Sequence, residues 1–344
     1  VSGNALRRLN LILLAIAAIA LAVMLKRVDW PSLALSFSRG WRYLPVLLIP
    51  YGVTSLCWTV SWRLLLIDTY RGSSLGRLFF VRLGGESLNQ LTPTASLGGE
   101  PFKASCLYSC GVAWQDATVS LLVHKALMVL SLVCYIFLGI ALIPVAMPSL
   151  SPRLALSCCL GALLLATAGA SFVVVQRRSP CTSLIRTLRR WGMCPAFLGS
   201  REAELATLDS ALRNFYREHG GAGCLALLVF LVGWLFQAAE VYLIFSLLGH
   251  PIGFGTALCL DALSQLIAGL GFMVPASIGV QDGGNIMLSL GFNMGPTLGA
   301  GFSILRRFRE AFWLLLGLVV VACEKKGTRL KEDSKAGAAG KGGG

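Results

Sequence analysis

Two stretches of this chain break an apolar, helix-forming pattern in the same way, and that duplication limits what the chain can fold into. The first reads Pro93-Thr-Ala-Ser-Leu-Gly-Gly-Glu100 and the second Pro275-Ala-Ser-Ile-Gly-Val-Gln-Asp282. Each runs from a proline through small residues, among them Ser96 or Ser277, and glycines (Gly98 and Gly99, or Gly279) to a carboxylate; Gly283 follows the second at once. Further on, a glycine opens a new apolar run (Gly111 or Gly291), which carries basic residues, His124-Lys125 or Arg306-Arg307. Backbone broken at membrane depth survives only where it lines a protein-enclosed cavity. Interruptions at matching positions of two halves point to a transport site.

The surroundings are membrane-like. Hydrophobic residues make up 56% of the chain and charged ones 13%, about half the charge of a soluble domain, roughly 25%. The mean hydropathy is +0.72. Spanning helices, each of about 20 apolar residues, are predicted over 8–25, 43–67, 117–143, 154–175, 221–248 and 301–323. Segments 78–110 and 256–295 are apolar but interrupted. The run after Arg7-Arg8 is too long for a signal-peptide core and lacks an A-x-A-like site before Lys26-Arg27.

The net charge of +14 does not indicate nucleic-acid binding. The Lys and Arg residues cluster in the loop 176–219 (Arg177, Arg178, Arg186, Arg189, Arg190, Arg201, Arg213, Arg217) and in the tail after Glu324, as positive-inside loops do. With both on the cytoplasmic side, parity makes segment 256–295 enter and leave from outside. Arg71, Arg77 and Arg82 put the start of 78–110 inside, so that segment returns inside. The expected fold is all-α and polytopic: about six spanning helices plus two oppositely inserted re-entrant hairpins, forming an inverted repeat. The expected divisions are an N-terminal helix and interfacial loop (1–42), a first helix–hairpin–helix repeat with its following helix (43–175), a basic cytoplasmic loop (176–220), a second repeat (221–323) and a disordered basic tail (324–344). Loop 26–42, with Lys26, Arg27, Arg39 and Arg42, falls outside in this scheme against its charge. Within 181–218, Leu184, Leu188, Leu205, Leu208, Leu212 and Phe215 recur at helical spacing, as in a surface helix on anionic headgroups or a solvated linker helix.

Ionisable groups within membrane segments are functional candidates because they are costly to place there. Glu100 and Asp282 occupy equivalent places, either as helix-start carboxylates favoured by the macrodipole or as cavity-lining groups that meet basic residues or a headgroup. Ser96, Ser277 and Asn89 add polar contacts, and Pro93, Gly98, Gly99, Pro275, Gly279 and Gly283 shape the breaks. Lys103, Lys125, Arg306, Arg307 and Arg309 are the cations, Arg being suited to bidentate phosphate or carboxylate contact. Glu310 is a local partner for them, Glu240 a mid-helix carboxylate for one arginine, and Asp261 and Gln265 share a face one turn apart. Glu86 adds buried polar support, and His124 could titrate. Half of the arginine cluster would suit snorkelling to headgroups.

No G-x-S-x-G, P-loop, H-E-x-x-H or strand-linked G-x-G-x-x-G is present. The scattered cysteines lack metal-ligand spacing. No cofactor, metal or catalytic site is predicted, and no enzyme.

Gly84-Gly85-Glu86-Ser-Leu-Asn89-Gln-Leu-Thr92-Pro93 and Leu97-Gly98-Gly99-Glu100-Pro-Phe-Lys103 resemble the N-terminal signature of the lysylphosphatidylglycerol synthase transmembrane, flippase-like family. Pro275-Ala-Ser-Ile-Gly279-Val-Gln281-Asp282-Gly283-Gly284 and Arg306-Arg307-Phe-Arg309-Glu310 resemble its C-terminal signature, in wording most like the hopanoid-biosynthesis-associated branch. The resemblance implies translocation of a polar-headed lipid (phospholipid, aminoacylated lipid or hopanoid) in a bacterial inner membrane, and an oligomer, plausibly a homodimer. Asp282 departs from a common Glu. No soluble aminoacyl-transferase domain follows the last helix of this chain, so synthase activity is not expected. The rivals are a non-transporting scaffold for lipid- or hopanoid-modifying enzymes and, more weakly, an intramembrane transferase using Glu100 or Asp282 as base.

Overall fold

The structure, a computed structural model, describes residues 41–66, 74–91, 98–146, 202–270, 277 and 279–341, with scattered positions in 26–38 and 156–190. The side chains of 41, 145, 146, 202–204, 270 and 325–341 lie outside that description. Also outside it are the predicted helix 8–25, most of 154–175, Arg71, Leu184 and Leu188, and Pro93, Ser96 and Pro275 at the breaks.

Among the described residues the regular structure is helical. A 3-10 turn, Trp41–Leu47, leads into α1 (Leu48–Leu65); α2 (Leu75–Leu91), α3 (Glu100–Tyr108) and α4 (Trp114–Ala146) follow. Beyond α5 (Glu202–Glu218) come α6 (Gly220–Leu247), α7 (Phe254–Leu270), α8 (Val280–Gly291) and α9 (Pro296–Lys341). The helix ends follow local chemistry. α2 stops just before Thr92-Pro93, where the proline disfavours helix in the preceding residue. α3 opens on Glu100-Pro101, an acid and a proline in the first turn, both favoured there. α9 continues to Lys341, so 324–341, within the stretch predicted as a disordered tail, is helical here. Its Leu, Lys, Glu and Ala residues are good helix formers.

Among the described residues three helices are long and apolar enough to cross a membrane, Arg42–Leu65, Trp114–Pro144 and Gly220–Leu247, at three of the predicted spans. The fourth predicted span that is described, 301–323, lies within α9 and carries Arg306, Arg307, Arg309 and Glu310. The interrupted segments resolve into a longer and a shorter helix each, α2 with α3 and α7 with α8. At 1.5 Å per residue, α3 and α8 reach about half of a ~30 Å hydrocarbon core.

The two halves, α1–α4 and α6–α9, pair by one rule. α1 packs on α6; α2 packs on α9 as α7 packs on α4; and α3 and α8 each lie against the helix that follows them. The pairs run antiparallel. Thr54 Oγ1 donates to the Gly233 carbonyl (2.9 Å) and Ser61 Oγ to the Ala226 carbonyl (3.0 Å), so rising numbers in α1 meet falling ones in α6. Likewise Gly84 lies by Val321 and Ser87 Oγ donates to the Leu314 carbonyl (3.2 Å). A two-fold relation across the helix axes produces this antiparallel exchange of equivalent helices.

Core clusters mark the two ends of the bundle. At one, Leu65, Val119, Leu212, Phe215 and Ala226 pack together, near Leu66, Leu78, Leu107, Val112 and Ala117. At the other, Val28, Leu47, Leu248, Ala257, Phe292, Leu298 and Ala300 meet. The outer ends of α2 and α3 therefore lie at one end of the bundle and those of α7 and α8 at the opposite end. Of loop 26–42, Val28 joins the second group, and the Asp29 N–H donates to Thr297 Oγ1 (3.1 Å). The apolar face of α5 is taken up by the bundle through Leu212 and Phe215, so that face meets protein rather than a bilayer.

Candidate functional site

Each half places its carboxylate at the start of the short helix, by different means. In the second, Gly279 sits at φ +82°, a left-handed conformation open to glycine. Its N–H donates to Asp282 Oδ2 at 2.9 Å, as in a capping box. In the first, Gly99 holds the corresponding position, and its N–H donates to Asn89 Oδ1 at 2.7 Å. A Cβ on Gly99 would collide with the Gly85 carbonyl, so the glycine lets α3 close on α2 backbone to backbone. That approach brings Lys103 across to Glu86.

The first group is built around Lys103, whose side chain is 1% exposed. Its Nζ donates to Glu86 Oε1 (2.7 Å) and Glu100 Oε1 (2.9 Å). Asn89 Nδ2 adds bonds to Glu100 Oε1 (3.2 Å) and Glu86 Oε2 (3.4 Å). Glu86, predicted as support, is thus a direct partner in the same group as Glu100. Lys125, on α4, is within electrostatic reach of both carboxylates. Among the described residues its enclosed Nζ has no hydrogen-bond partner, and neither has Glu100 Oε2. Neighbouring His124 is a core residue: Nε2 lies 3.1 Å from the Trp58 carbonyl, and the ring packs beside Trp62 and Phe230.

The second group separates the arginines expected as one cluster. Arg306 Nη2 meets Asp261 Oδ1 at 2.6 Å, and Asp261 also accepts from the Tyr135 hydroxyl (2.9 Å). Gln265 Nε2 lies 3.5 Å from Asp261 Oδ1, on the shared face the one-turn spacing predicts. Arg307 forks onto Asp282 with Nε and Nη2 (both 3.0 Å) while Nη1 holds Glu310 (2.7 Å). Asp282 is therefore both a helix-start group and an ion-pair partner. Arg309 Nε pairs with Glu240 Oε1 at 2.9 Å, the mid-helix pairing expected of Glu240. Successive residues of a helix point about 100° apart, which is why three neighbouring arginines reach three different partners. Arg306 and Arg309 are buried and do not snorkel.

Glu100 meets Lys103, one of the predicted cations. Ser277, at φ +50°, donates its hydroxyl to the Ala268 carbonyl (3.3 Å) and so holds the break together. Gly98 is half-buried and Gly283 buried in the first turn of α8.

Sequence reasoning missed several participants. Arg82, read as a cytoplasmic flank, is 1% exposed. It donates to Ser55 Oγ at 2.9 Å and lies over the Trp58 ring. Its position seven residues inside an apolar helix was the available signal. Tyr51 joins the groups: Arg309 lies 4.4 Å from its ring centroid, and Arg82, Glu86 and Glu310 are within electrostatic range. Ser264, Asn285 and Ser303 form a buried chain that meets Arg306 and the Asp282 carbonyl. Neither Tyr51 nor these residues carried a sequence signal.

Two partly open sets of charges, on opposite hairpins and joined through Tyr51, can offer both signs of charge to one polar molecule. No three His, Cys, Asp or Glu side chains come together as a metal site among the described residues. Residues 10–317 match the family described as the lysylphosphatidylglycerol synthase TM region. No curated protein matches the chain at a significant level.

Proposed function

The chain belongs to the lysylphosphatidylglycerol synthase TM-region family, membrane proteins of lipid-related function, and from that membership and its paired ionic groups we propose that it moves a polar-headed lipid between leaflets. One observation carries the reading. In each half, a carboxylate at the start of a half-length helix pairs with a cation inside the helical bundle. Charge of that kind is costly at membrane depth and fits a path for a headgroup whose tail stays in lipid. The hairpins α2/α3 and α7/α8 would be re-entrant from opposite faces and would line that path in turn. In this reading the protein is a multi-pass bacterial inner-membrane transporter with a cytoplasmic C-terminus, not an enzyme. Homodimers, lipid- or hopanoid-modifying enzymes and membership of the hopanoid-associated branch belong to the same reading.

The test is translocation in liposomes that contain this protein alone, with anionic, aminoacylated and hopanoid lipids offered separately. Movement of at least one, reduced in Glu100→Gln and Arg307→Ala, is the expected result. No movement of any would end the stand-alone version and turn attention to the scaffold alternative.

A further inference from the structure

The charge count of the second half does not close. Its three arginines, Arg306, Arg307 and Arg309, are held by four carboxylates, Asp261, Asp282, Glu240 and Glu310. One negative charge is left over among these residues, at a depth where it is costly. The first half carries the opposite imbalance, but its spare cation, Lys125, faces Glu86 and Glu100. The hydrogen bonds of the second half single out one carboxylate. Asp261 uses both oxygens, for Arg306 and for Tyr135. Asp282 uses both for Arg307, and its Oδ2 also accepts from the Gly279 N–H. Glu310 keeps 20% of its side chain exposed. Glu240 is 1% exposed. Its Oε1 takes Arg309, while its Oε2 is enclosed with no donor among the described residues. One turn earlier on α6, Gln237 Oε1 is an enclosed acceptor that also lacks a donor there. Residues three apart on a helix are neighbours. Two neighbouring acceptors without a donor become a hydrogen bond when one of them is protonated.

We propose that Glu240 is a proton-binding site whose proton couples lipid movement to the proton gradient. The inference rests on the lipid-transport reading and adds its energy source. One proton from the aqueous phase joins Glu240 Oε2, the new O–H donates to Gln237 Oε1, and the second group becomes neutral. The charged neighbours of Glu240 are Arg306 and Arg309 on α9 and Asp261 on α7. Tyr135 on α4 is bonded to that Asp261, and the Tyr51 ring on α1 lies against Arg309. Neutral Glu240 loosens its hold on Arg309, whose Nη2 already stands 3.9 Å from Glu310 Oε1. Glu310 in turn shares Arg307 with Asp282 at the start of α8. A proton bound on α6 is thereby felt at the break of the second hairpin. Because Glu240 is enclosed, it exchanges its proton only as the bundle opens, which ties uptake to the transport cycle.

The first measurement is the infrared difference spectrum of the detergent-solubilised full chain between alkaline and acid buffer. The unsubstituted chain is expected to show a protonated-carboxyl component that Glu240→Gln removes, Glu240→Asp keeps and Gln237→Met shifts in frequency. Where Glu240→Gln fails to fold, the double variant Glu240→Gln/Arg309→Gln removes both charges and carries the same expectation. The second measurement follows lipid movement in liposomes holding the same three lipid classes, with a pH difference across the membrane and the electrical potential clamped. The steady-state leaflet ratio of the moved lipid should change about ten-fold per pH unit for one coupled proton. Glu240→Gln should abolish that dependence. A spectrum without any component that Glu240→Gln removes means a permanently ionised Glu240 and overturns the proton site. Lipid movement indifferent to the pH difference overturns the coupling. The Glu240 component without movement of any lipid would instead overturn the transport reading and leave the proton site standing.

Discussion

The two halves share a helix plan but not a charge plan. Three arginines meet four carboxylates on the α6–α9 side, with Asp261, Arg306, Arg309 and Glu240 all buried. On the α1–α4 side three cations stand with two carboxylates, both carboxylates are partly open, and one ammonium has no partner. Buried ion pairs repay their desolvation only when every lone pair and donor is well served. Neither half meets that condition in full: among the described residues Arg306 Nε and Glu240 Oε2 are enclosed without a hydrogen bond in the second half, as Lys125 Nζ and Glu100 Oε2 are in the first. The difference lies in the pairing: every arginine of the second group is held by a carboxylate, whereas the first group leaves Lys125 without one among the described residues.

The sharpest test of that contrast sets Asp261→Asn against Lys103→Met. Asp261→Asn leaves Arg306 uncompensated and is expected to cost about 3–5 kcal/mol, the range for breaking a buried pair, read as lost yield or thermal stability in detergent. Lys103→Met strands carboxylates that still reach an open edge, and its cost should be smaller, about 1–3 kcal/mol for an unmet polar group. Equal losses would erase the distinction between the halves.

Smaller effects refine it. Gly99→Ala should cost about 1–3 kcal/mol by overpacking, since its methyl would meet the Gly85 carbonyl, whereas Gly76→Ala, with nothing nearby, should leave thermal stability unchanged or slightly raised. Arg307→Lys keeps the charge but loses the fork onto Asp282. It should lower stability by about 1 kcal/mol and slow lipid movement in liposomes. Smallest of all, Lys125→Met should leave the unfolding temperature unchanged or slightly higher. A clear drop there would mean that Lys125 is already satisfied and the first half complete.

Much of this architecture is legible in the sequence because membranes leave few choices for backbone. The apolar runs place α1, α4 and α6, and the paired Pro–Gly breaks place the ends of α2, α3, α7 and α8. Glu240 with one of the arginines and Asp261 with Gln265 follow from having few partners at helical spacing. What escaped depends on rotation about helix axes. Nothing in Arg306-Arg307-Phe-Arg309 says that each guanidinium turns to a different helix, nor that Arg82 faces inward rather than toward a cytoplasmic surface. Tyr51 was hidden because a tyrosine in an apolar run has no periodic signature. Its role comes only from the packing of α1 beside both ionic groups.

The seam between α1 and α6 has a mechanical consequence. The Thr54 and Ser61 hydroxyls grip carbonyls of Gly233 and Ala226 on the opposite helix. In an apolar surrounding no water replaces a broken hydrogen bond, so sliding one helix along the other by a turn would strand both hydroxyls at once. Tilting about the seam keeps them engaged. The seam is therefore an axle rather than a rail.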